Sequence, residues 1–189
     1  EPLDRIHNAS EHLLTLINEL LDISSIESGK LRLDFKKVCM RRFLAEIVEN
    51  VRPLAESKGL KLEVEIESAD TEISLETDPV RLRQIVLNLV ANGLKYTAEG
   101  KVTLRLCVYP EHLEVQIEDT GPGLSKAQQQ KIFEAYYRLE QASVGTGLGL
   151  SISAQLCQML GYHMRVESQN TGKTGSVFTL NIPRTDTSA

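Results

Sequence analysis

The sequence predicts an α+β fold, a two-layer α/β sandwich preceded by one long helix. Helical segments cluster, while strand-like segments meet through short turns such as Pro110-Glu111 and Gly172–Gly175. An apolar period typical of a helix also runs from Leu3 to about Ser28. A doubly wound sheet would need regular alternation of strands and helices, which the chain lacks.

The helices follow from apolar periodicity and from residues that start or stop a helix. The first carries a heptad-like seam and ends at Gly29; the seam comprises Ile6, Leu13, Ile17 and Leu20. Asp78-Pro79 begins another helix, because Asp caps free backbone N–H groups and Pro suits the first helical position. The sequence therefore predicts further helices at 40–57, 78–97, 125–133 and 147–160.

Strands are predicted where apolar and polar residues alternate. Leu31, Leu33 and Phe35 predict a strand, and a change of domain, directly after the long helix. The other predicted strands are 60–66, 102–109, 113–118, 163–168 and 176–182.

Composition disfavours several classes of protein. The 189 residues carry a formal net charge of -5 without a basic stripe, which argues against nucleic-acid binding. No apolar run approaches the roughly 20 residues that cross a bilayer, and no signal peptide opens the chain. Because helix begins at once, we expect the chain to start inside a larger protein. Cys39, Cys107 and Cys157 form no CxxC pair, which predicts reduced thiols in a cytosolic domain.

A first candidate motif lies at Asn88–Thr97 on the helix that Asp78 begins. Asn88, Asn92, Lys95 and Tyr96 share one helix face. Carboxamide oxygens suit Mg²⁺, which keeps several waters, and a lysine neutralises phosphate. A solvated helix face would show the same pattern.

Two glycine motifs follow. Asp119-Thr120-Gly121-Pro122-Gly123-Leu124 comes after a strand, where Asp119 can accept a hydrogen bond from an adenine amine; an ordinary Gly-Pro turn is the alternative. The segment Gly145–Ser151 carries Gly145, Thr146, Gly147, Leu148 and Gly149 into a helix whose N-terminus favours phosphate, although many glycine loops only turn. No strand precedes it as in a dinucleotide fold, and no GxxxxGK[ST] is present.

Together and in this order, the three segments resemble the N, G1 and G2 boxes of sensor histidine kinases. This family belongs to the superfamily of gyrase, MutL repair proteins and heat-shock chaperone ATPases. Ile132–Arg138 is similar to the F box, with Tyr136 where Phe is usual, and Thr171–Phe178 resembles the terminal glycine box. Leu20–Leu31 resembles the second helix of the dimerisation and histidine-phosphotransfer domain.

The resemblance implies a Bergerat-type fold, with helices on one face of a mixed, mainly antiparallel sheet. It divides the chain into 1–29, the truncated phosphotransfer hairpin; 30–184, the catalytic ATP-binding domain; and 185–189, a tail or linker. It implies ATP and Mg²⁺ as cofactors, a response regulator or receiver domain as partner, and a homodimer in the full-length protein. The location implied is the cytoplasmic side of a membrane-anchored bacterial sensor.

The residue roles come from the same resemblance. Asn92 would be the Mg²⁺ ligand, with Asn88 beside it, while Lys95 reaches the phosphates. Tyr96 and Asp119 would hold the adenosine, and Gly121 and Gly123 would shape its pocket. The phosphate end would be framed by Gly145, Thr146, Gly147, Leu148 and Gly149. Hydrolysing relatives carry Glu where Asn88 stands, and an amide cannot take a proton from water, so transfer is favoured over hydrolysis.

The sequence departs from the family pattern at several positions. The lid Leu139–Val144 is short and contains no Lys or Arg, and Val144 replaces a common glycine. Gly93 replaces the usual Ala, at a cost of about 1 kcal/mol in helix stability.

The chain also lacks the Ser-His-Glu-Leu-Arg-Thr-Pro-like stretch that holds the acceptor histidine. His7 and His12 lie on the second-helix segment, where surface positions explain them more simply. The leading hypothesis is a kinase fragment without its acceptor. A degenerate, regulatory module acting through dimerisation is the second hypothesis, and an ATP-hydrolysing enzyme is the third.

Overall fold

The chain folds as helices packed on one face of a sheet over residues 2–68, 72–139, 146–171 and 174–184, which the computed structural model describes. For residues 2–9, 11, 12 and 15 only the backbone is described. The helices are α1 (Pro2–Glu27), α2 (Met40–Ser57), α3 (Pro79–Tyr96), α4 (Lys126–Lys131) and α5 (Gly149–Leu160). The strands are β1 (Lys36–Cys39), β2 (Lys61–Glu67), β3 (Ser74–Thr77), β4 (Lys101–Val108), β5 (His112–Asp119), β6 (His163–Gln169) and β7 (Gly175–Pro183).

The main sheet has the strand order β2-β4-β5-β7-β6. Strand β2 runs parallel to β4, and the other neighbours are antiparallel. A second sheet pairs β1 with β3 in antiparallel fashion. The predicted α+β class, with a mixed and mainly antiparallel sheet, is therefore confirmed.

The core lies between the sheet and helices α2, α3 and α5. Alternate residues of the central strands face the helices and are fully buried: Val102, Leu104 and Leu106 on β4, and Leu113, Val115 and Ile117 on β5. Their neighbours on the opposite face form ion pairs with adjacent strands, such as Arg105 with Glu65 at 2.7 Å. The strand period of two thus separates an apolar layer from a charged surface.

One predicted strand is wrong, and two observed strands, β1 and β3, were not predicted. Residues 31–35 form no strand; the strand β1 begins at Lys36 and pairs with β3. Leu31 and Leu33 instead pack directly against the hydrophobic core, so burial rather than strand pairing accounts for these two residues, whereas Phe35 is 49% exposed. Strand β3, with 4 residues, is too short to give a clear alternating signal.

The apolar seam of α1 is exposed at each member whose side chain the structure describes, and the side chain of Ile6 lies outside the described part. The exposed fraction is between 45% and 60% for Leu13, Ile17 and Leu20, and for the neighbouring Leu14 and Leu21. Near the C-terminal end of α1, Ile23 and Ile26 turn inward instead and pack against the core.

Asp78 fixes the start of α3 and ties it to the connection after α1. Its Oδ1 accepts hydrogen bonds from the backbone N–H groups of Val80 and Arg81, and its Oδ2 accepts one from the backbone N–H of Asp34 at 2.9 Å. The side chain is 4% exposed. Burial raises the pKa of this carboxyl, but the three N–H donors outweigh it and hold the pKa below its ordinary value of 3.8.

We expect Asp78→Ala to lower the free energy of unfolding by about 2 kcal/mol, because a helix cap and a buried bond to Asp34 are lost together. Since the folded-state pKa lies below the unfolded one, this contribution is present above about pH 4 and disappears as the pH falls through the folded-state value. Urea unfolding at pH 7 and pH 3 measures both effects. Asp34→Ala is the matched control, because Asp34 contributes only its backbone N–H to Asp78; an equal loss in both variants would contradict the assignment.

Candidate functional site

One cavity gathers most of the residues that the motifs singled out. It lies between the C-terminal half of α3, the end of β5 and the start of α5. Its lining includes Asn88, Asn92, Lys95, Tyr96, Asp119, Gly123, Thr146, Gly147 and Gly149. Gly121 and Leu148 lie beside the cavity rather than in its lining, and Gly145 lies outside the described residues.

The polar face of α3 forms one wall. Asn92 Nδ2 donates to Asn88 Oδ1 at 3.4 Å, and Asn88 Nδ2 donates to Ser153 Oγ on α5 at 2.8 Å. The chain of amides therefore links α3 to α5 across the cavity. The Lys95 ammonium lies 4.9 Å from the centre of the Tyr96 ring.

The C-terminal end of α3 is held by a lysine of another element. Lys58 Nζ donates to the carbonyl oxygens of Leu94 and Lys95, at 2.5 and 2.9 Å, and to that of Thr97 at 3.4 Å. A cation at a helix C-terminus satisfies free carbonyls and interacts favourably with the helix dipole. Lys58 thereby fixes the turn that carries Lys95 and Tyr96.

Asp119 lies at the base of the cavity, where β5 ends. Its carboxylate is 8% exposed and accepts a hydrogen bond from the Gly121 N–H at 2.8 Å. Burial raises the pKa of Asp119 above 3.8, although the backbone N–H groups of Gly121 and Ser176 lower it. A buried carboxylate with few donors is a strong acceptor for a ligand N–H.

Gly121 acts through Asp119 rather than by lining the cavity. A Cβ on Gly121 would lie 2.8 Å from Asp119 Oδ1 and 3.2 Å from the Tyr96 carbonyl oxygen. The absent side chain therefore lets the backbone N–H approach the carboxylate. Gly93 of α3 similarly faces β4, since its Cβ would lie 3.3 Å from Val102.

The turn at Gly123 requires glycine for two reasons. Its φ angle is +71°, and a Cβ there would lie 1.9 Å from the carbonyl oxygen of Gln169. The turn is further held by Ser168, whose Oγ accepts a hydrogen bond from the Leu124 N–H at 2.7 Å. The segment Asp119–Leu124 therefore packs closely against β6.

The start of α5 closes the other end. Thr146 Oγ1 accepts a hydrogen bond from the Leu148 N–H at 3.1 Å, while the Leu148 side chain is 2% exposed and belongs to the core. A Cβ on Gly149 would lie 2.5 Å from Asn88 Oδ1, so this glycine lets α5 approach the amides of α3. The first free N–H groups of α5 make its N-terminus favourable for an anion.

Several lining residues belong to segments that the sequence singled out but were given no role of their own. Arg138, at the end of the segment that resembles the F box, supplies a cation to the cavity. Tyr137 of the same segment adds apolar surface, as do Leu139 and Phe178. Glu19 of α1 also lines the cavity, and helix periodicity alone gave no signal for it, because a period does not say which neighbour a polar residue faces.

The chemistry of the cavity is that of an amide and lysine site rather than of an acidic metal cluster. Within residues 2–68, 72–139, 146–171 and 174–184, no group of three His, Cys, Asp or Glu residues is placed to hold a metal ion. No helix in the described ranges is both long enough and apolar enough to span a membrane.

The family match and the similar proteins point to the same family. Residues 77–186 match the family described as "Histidine kinase-, DNA gyrase B-, and HSP90-like ATPase". Sensor histidine kinase GacS of Pseudomonas protegens is 40% identical over 97% of this chain, and circadian input-output histidine kinase CikA of Synechococcus elongatus is 34% identical over 97%. The chain spans only 21% and 25% of these relatives.

Solved structures share the fold. Full-length ShkA in complex with AMPPNP has a TM-score of 0.85 and 28% identity, and the match covers 98% of this chain and 39% of ShkA. Histidine kinase ThkA, solved with the response regulator TrrA, has a TM-score of 0.77 at 24% identity over 98% of this chain and 51% of ThkA.

We expect Gly123→Ala to lower the free energy of unfolding by at least about 3 kcal/mol, since left-handed backbone strain adds to overlap with Gln169. Gly161→Ala is the matched control. Gly161 has a φ angle of +74°, but a Cβ added there would meet no atom within 4 Å, so only the strain of about 1 kcal/mol should appear. Chemical denaturation of both variants measures the difference; equal losses would show that the contact with β6 is unimportant.

Proposed function

Because the chain belongs to the family of histidine kinase-, DNA gyrase B- and HSP90-like ATPases, we propose that it is the catalytic part of a sensor histidine kinase. In this proposal it binds Mg-ATP and transfers the γ-phosphate to a histidine on an upstream helix absent from the fragment. The phosphoryl group then passes to an aspartate of a response regulator.

The observation that carries the proposal is the meeting of the three motifs in one cavity. Asp119 lies at one end, with the Gly121 N–H fixing its orientation. Asn88 and Gly149 lie together at the other end, where α5 begins. This spacing provides an acceptor for the adenine amine and an N-terminal helix dipole for the phosphates.

The residues have distinct roles in the proposed transfer. Asp119 accepts a hydrogen bond from the adenine amine, while Tyr96 packs beside the adenosine. Lys95 and Arg138 neutralise phosphate charge. Catalysis then consists mainly of positioning and charge stabilisation, as the bond from the γ-phosphorus to the bridging oxygen breaks and one to a histidine nitrogen forms.

The amides of α3 fit Mg²⁺ bound with the nucleotide. Asn92 provides a carboxamide oxygen at the cavity wall, and Mg²⁺ is commonly held by few protein ligands together with phosphates and water. When bound, Mg²⁺ would supply charge neutralisation between the phosphates. Asn88 has no basic group, which favours phosphoryl transfer over attack by an activated water.

The structure of ThkA with the response regulator TrrA supports the partner in this proposal. In the proposal, the protein acts on a response regulator or receiver domain, pairs through its own phosphotransfer helices as a homodimer in the full-length protein and needs no nucleic acid. The exposed seam of α1 supports the assignment of 1–29 to the phosphotransfer hairpin. In the same proposal, 30–184 is the catalytic ATP-binding domain and 185–189 is a tail or linker. A cytoplasmic position in a membrane-anchored bacterial protein belongs to the same proposal.

We expect Asp119→Asn to weaken binding of a Mg-bound ATP analogue about tenfold or more, because a charge-assisted hydrogen bond to the adenine amine is lost. At pH 7 the free energy of unfolding of the same variant should equal or exceed that of the parent chain. Burial raises the pKa of Asp119, so ionisation of this side chain opposes folding as the pH rises above the unfolded-state value. Calorimetry and urea unfolding measure the two effects.

Glu118→Gln is the matched control, because Glu118 lies on the opposite face of β5 and contacts Arg105. Tight binding by Asp119→Asn would contradict the adenine assignment. Absence of binding by the parent chain would favour the regulatory, non-catalytic module, for which the short lid Leu139–Val144 argues. Sustained phosphate release without an acceptor would instead favour the ATP-hydrolysing alternative.

A further inference from the structure

Helix α1 has a second face, opposite its exposed seam, that is seated on the catalytic layer. Glu19, Asp22, Ile23 and Ile26 follow the spacing i, i+3, i+4 and i+7, which places them on one side of the helix. Ile23 and Ile26 pack against the hydrophobic core. We refer to these four residues as the seating face.

Asp22 fixes the position of α1 along α3 through two hydrogen bonds. Its Oδ1 accepts a hydrogen bond from Arg81 Nη1 at 3.2 Å, and its Oδ2 accepts one from Gln84 Nε2 at 2.7 Å. Arg81 Nη1 also donates to Gln84 Oε1 at 3.0 Å, which orients the pair. The Asp22 and Arg81 side chains are 21% and 22% exposed, so this ion pair is better shielded than a surface pair.

The same face of α3 continues from the seat into the cavity. Arg81, Gln84, Asn88 and Asn92 are spaced i, i+3, i+7 and i+11, on one side of the helix. Asp22 contacts the first two residues, and Glu19, one turn earlier on α1, lines the cavity with the last two. This register puts Glu19 towards the Asn88 end, which is the phosphate end.

One oxygen of the Glu19 carboxylate has no hydrogen-bond partner there among the described residues. This atom, Oε2, is buried. A buried carboxylate oxygen is costly unless a donor or a cation satisfies it. The neighbouring cavity wall is formed by the neutral amides of Asn88 and Asn92.

We propose that Glu19 is a further residue of the metal side of the nucleotide site, supplied by α1. Its carboxylate accepts hydrogen bonds from water bound to Mg²⁺, which keeps part of its hydration shell. Nucleotide binding and the seating of α1 then favour one another, because the same contact contributes to both. The inference rests on the proposed Mg-ATP function.

The test compares four variants of the whole 189-residue chain in calorimetry with a non-hydrolysable ATP analogue, with Mg²⁺ and with EDTA. Glu19→Gln preserves the size of the side chain and removes its charge. It should weaken Mg-dependent binding about tenfold and leave binding in EDTA unchanged or tighter. Asp22→Asn should weaken Mg-dependent binding in the same direction, because Asp22 positions Glu19.

The double variant Glu19→Gln/Asp22→Asn should bind no more weakly than Glu19→Gln, since both changes remove one contact. Glu27→Gln, an exposed change on the same helix, should bind like the parent chain. Thermal unfolding without nucleotide should show that Glu19→Gln is folded.

Two results would overturn the inference while leaving the proposed function intact: equal Mg-dependent affinities for parent and Glu19→Gln, or tighter binding by the variant, which would make Glu19 repulsive to phosphate. Failure of the parent chain to bind with Mg²⁺ would overturn the proposed function itself.

Discussion

The site depends on helix α3, which buries an apolar face in the core and also presents polar residues to the cavity. Its apolar residues Leu82, Ile85, Val86 and Leu89 are buried, while Asn88 and Asn92 on the adjoining face line the cavity. Asp78 at one end and Lys58 at the other hydrogen-bond the helix termini, so the caps that stabilise α3 also hold the residues that line the cavity.

At Asp119, in contrast to the caps of α3, the position of the side chain at the cavity costs stability. Its burial at the end of β5 disfavours the charged form that a ligand amine requires, and the Gly121 N–H only partly compensates. The turn at Gly123 that follows Asp119 packs closely against Gln169 of β6. The fold thus keeps a buried carboxylate at the cavity although its burial costs stability.

Much of this arrangement could be predicted from the sequence, for identifiable reasons. Asp78-Pro79 predicted the helix start, and the period of α3 predicted that Asn88, Asn92 and Lys95 share a face. The error at Leu31–Phe35 arose because Leu31 and Leu33 are buried without a strand partner, and alternation reports burial on one side rather than strand pairing. The placement of Leu148 in the core, and of Glu19 at the cavity, depends on contacts between distant segments that no local pattern encodes.

Helix α1 has two opposed faces, and each face is placed for a different contact. The apolar seam at Leu13, Ile17 and Leu20 is available to a second helix, whereas Asp22, Ile23 and Ile26 already contact the catalytic layer. Since the faces are opposed, α1 can pair with another helix without leaving its seat. A displacement of α1 along its axis would, however, break the bond from Gln84 to Asp22 and move Glu19 out of the cavity. A change in helix pairing can therefore reach the cavity through α1, without any rearrangement of the sheet.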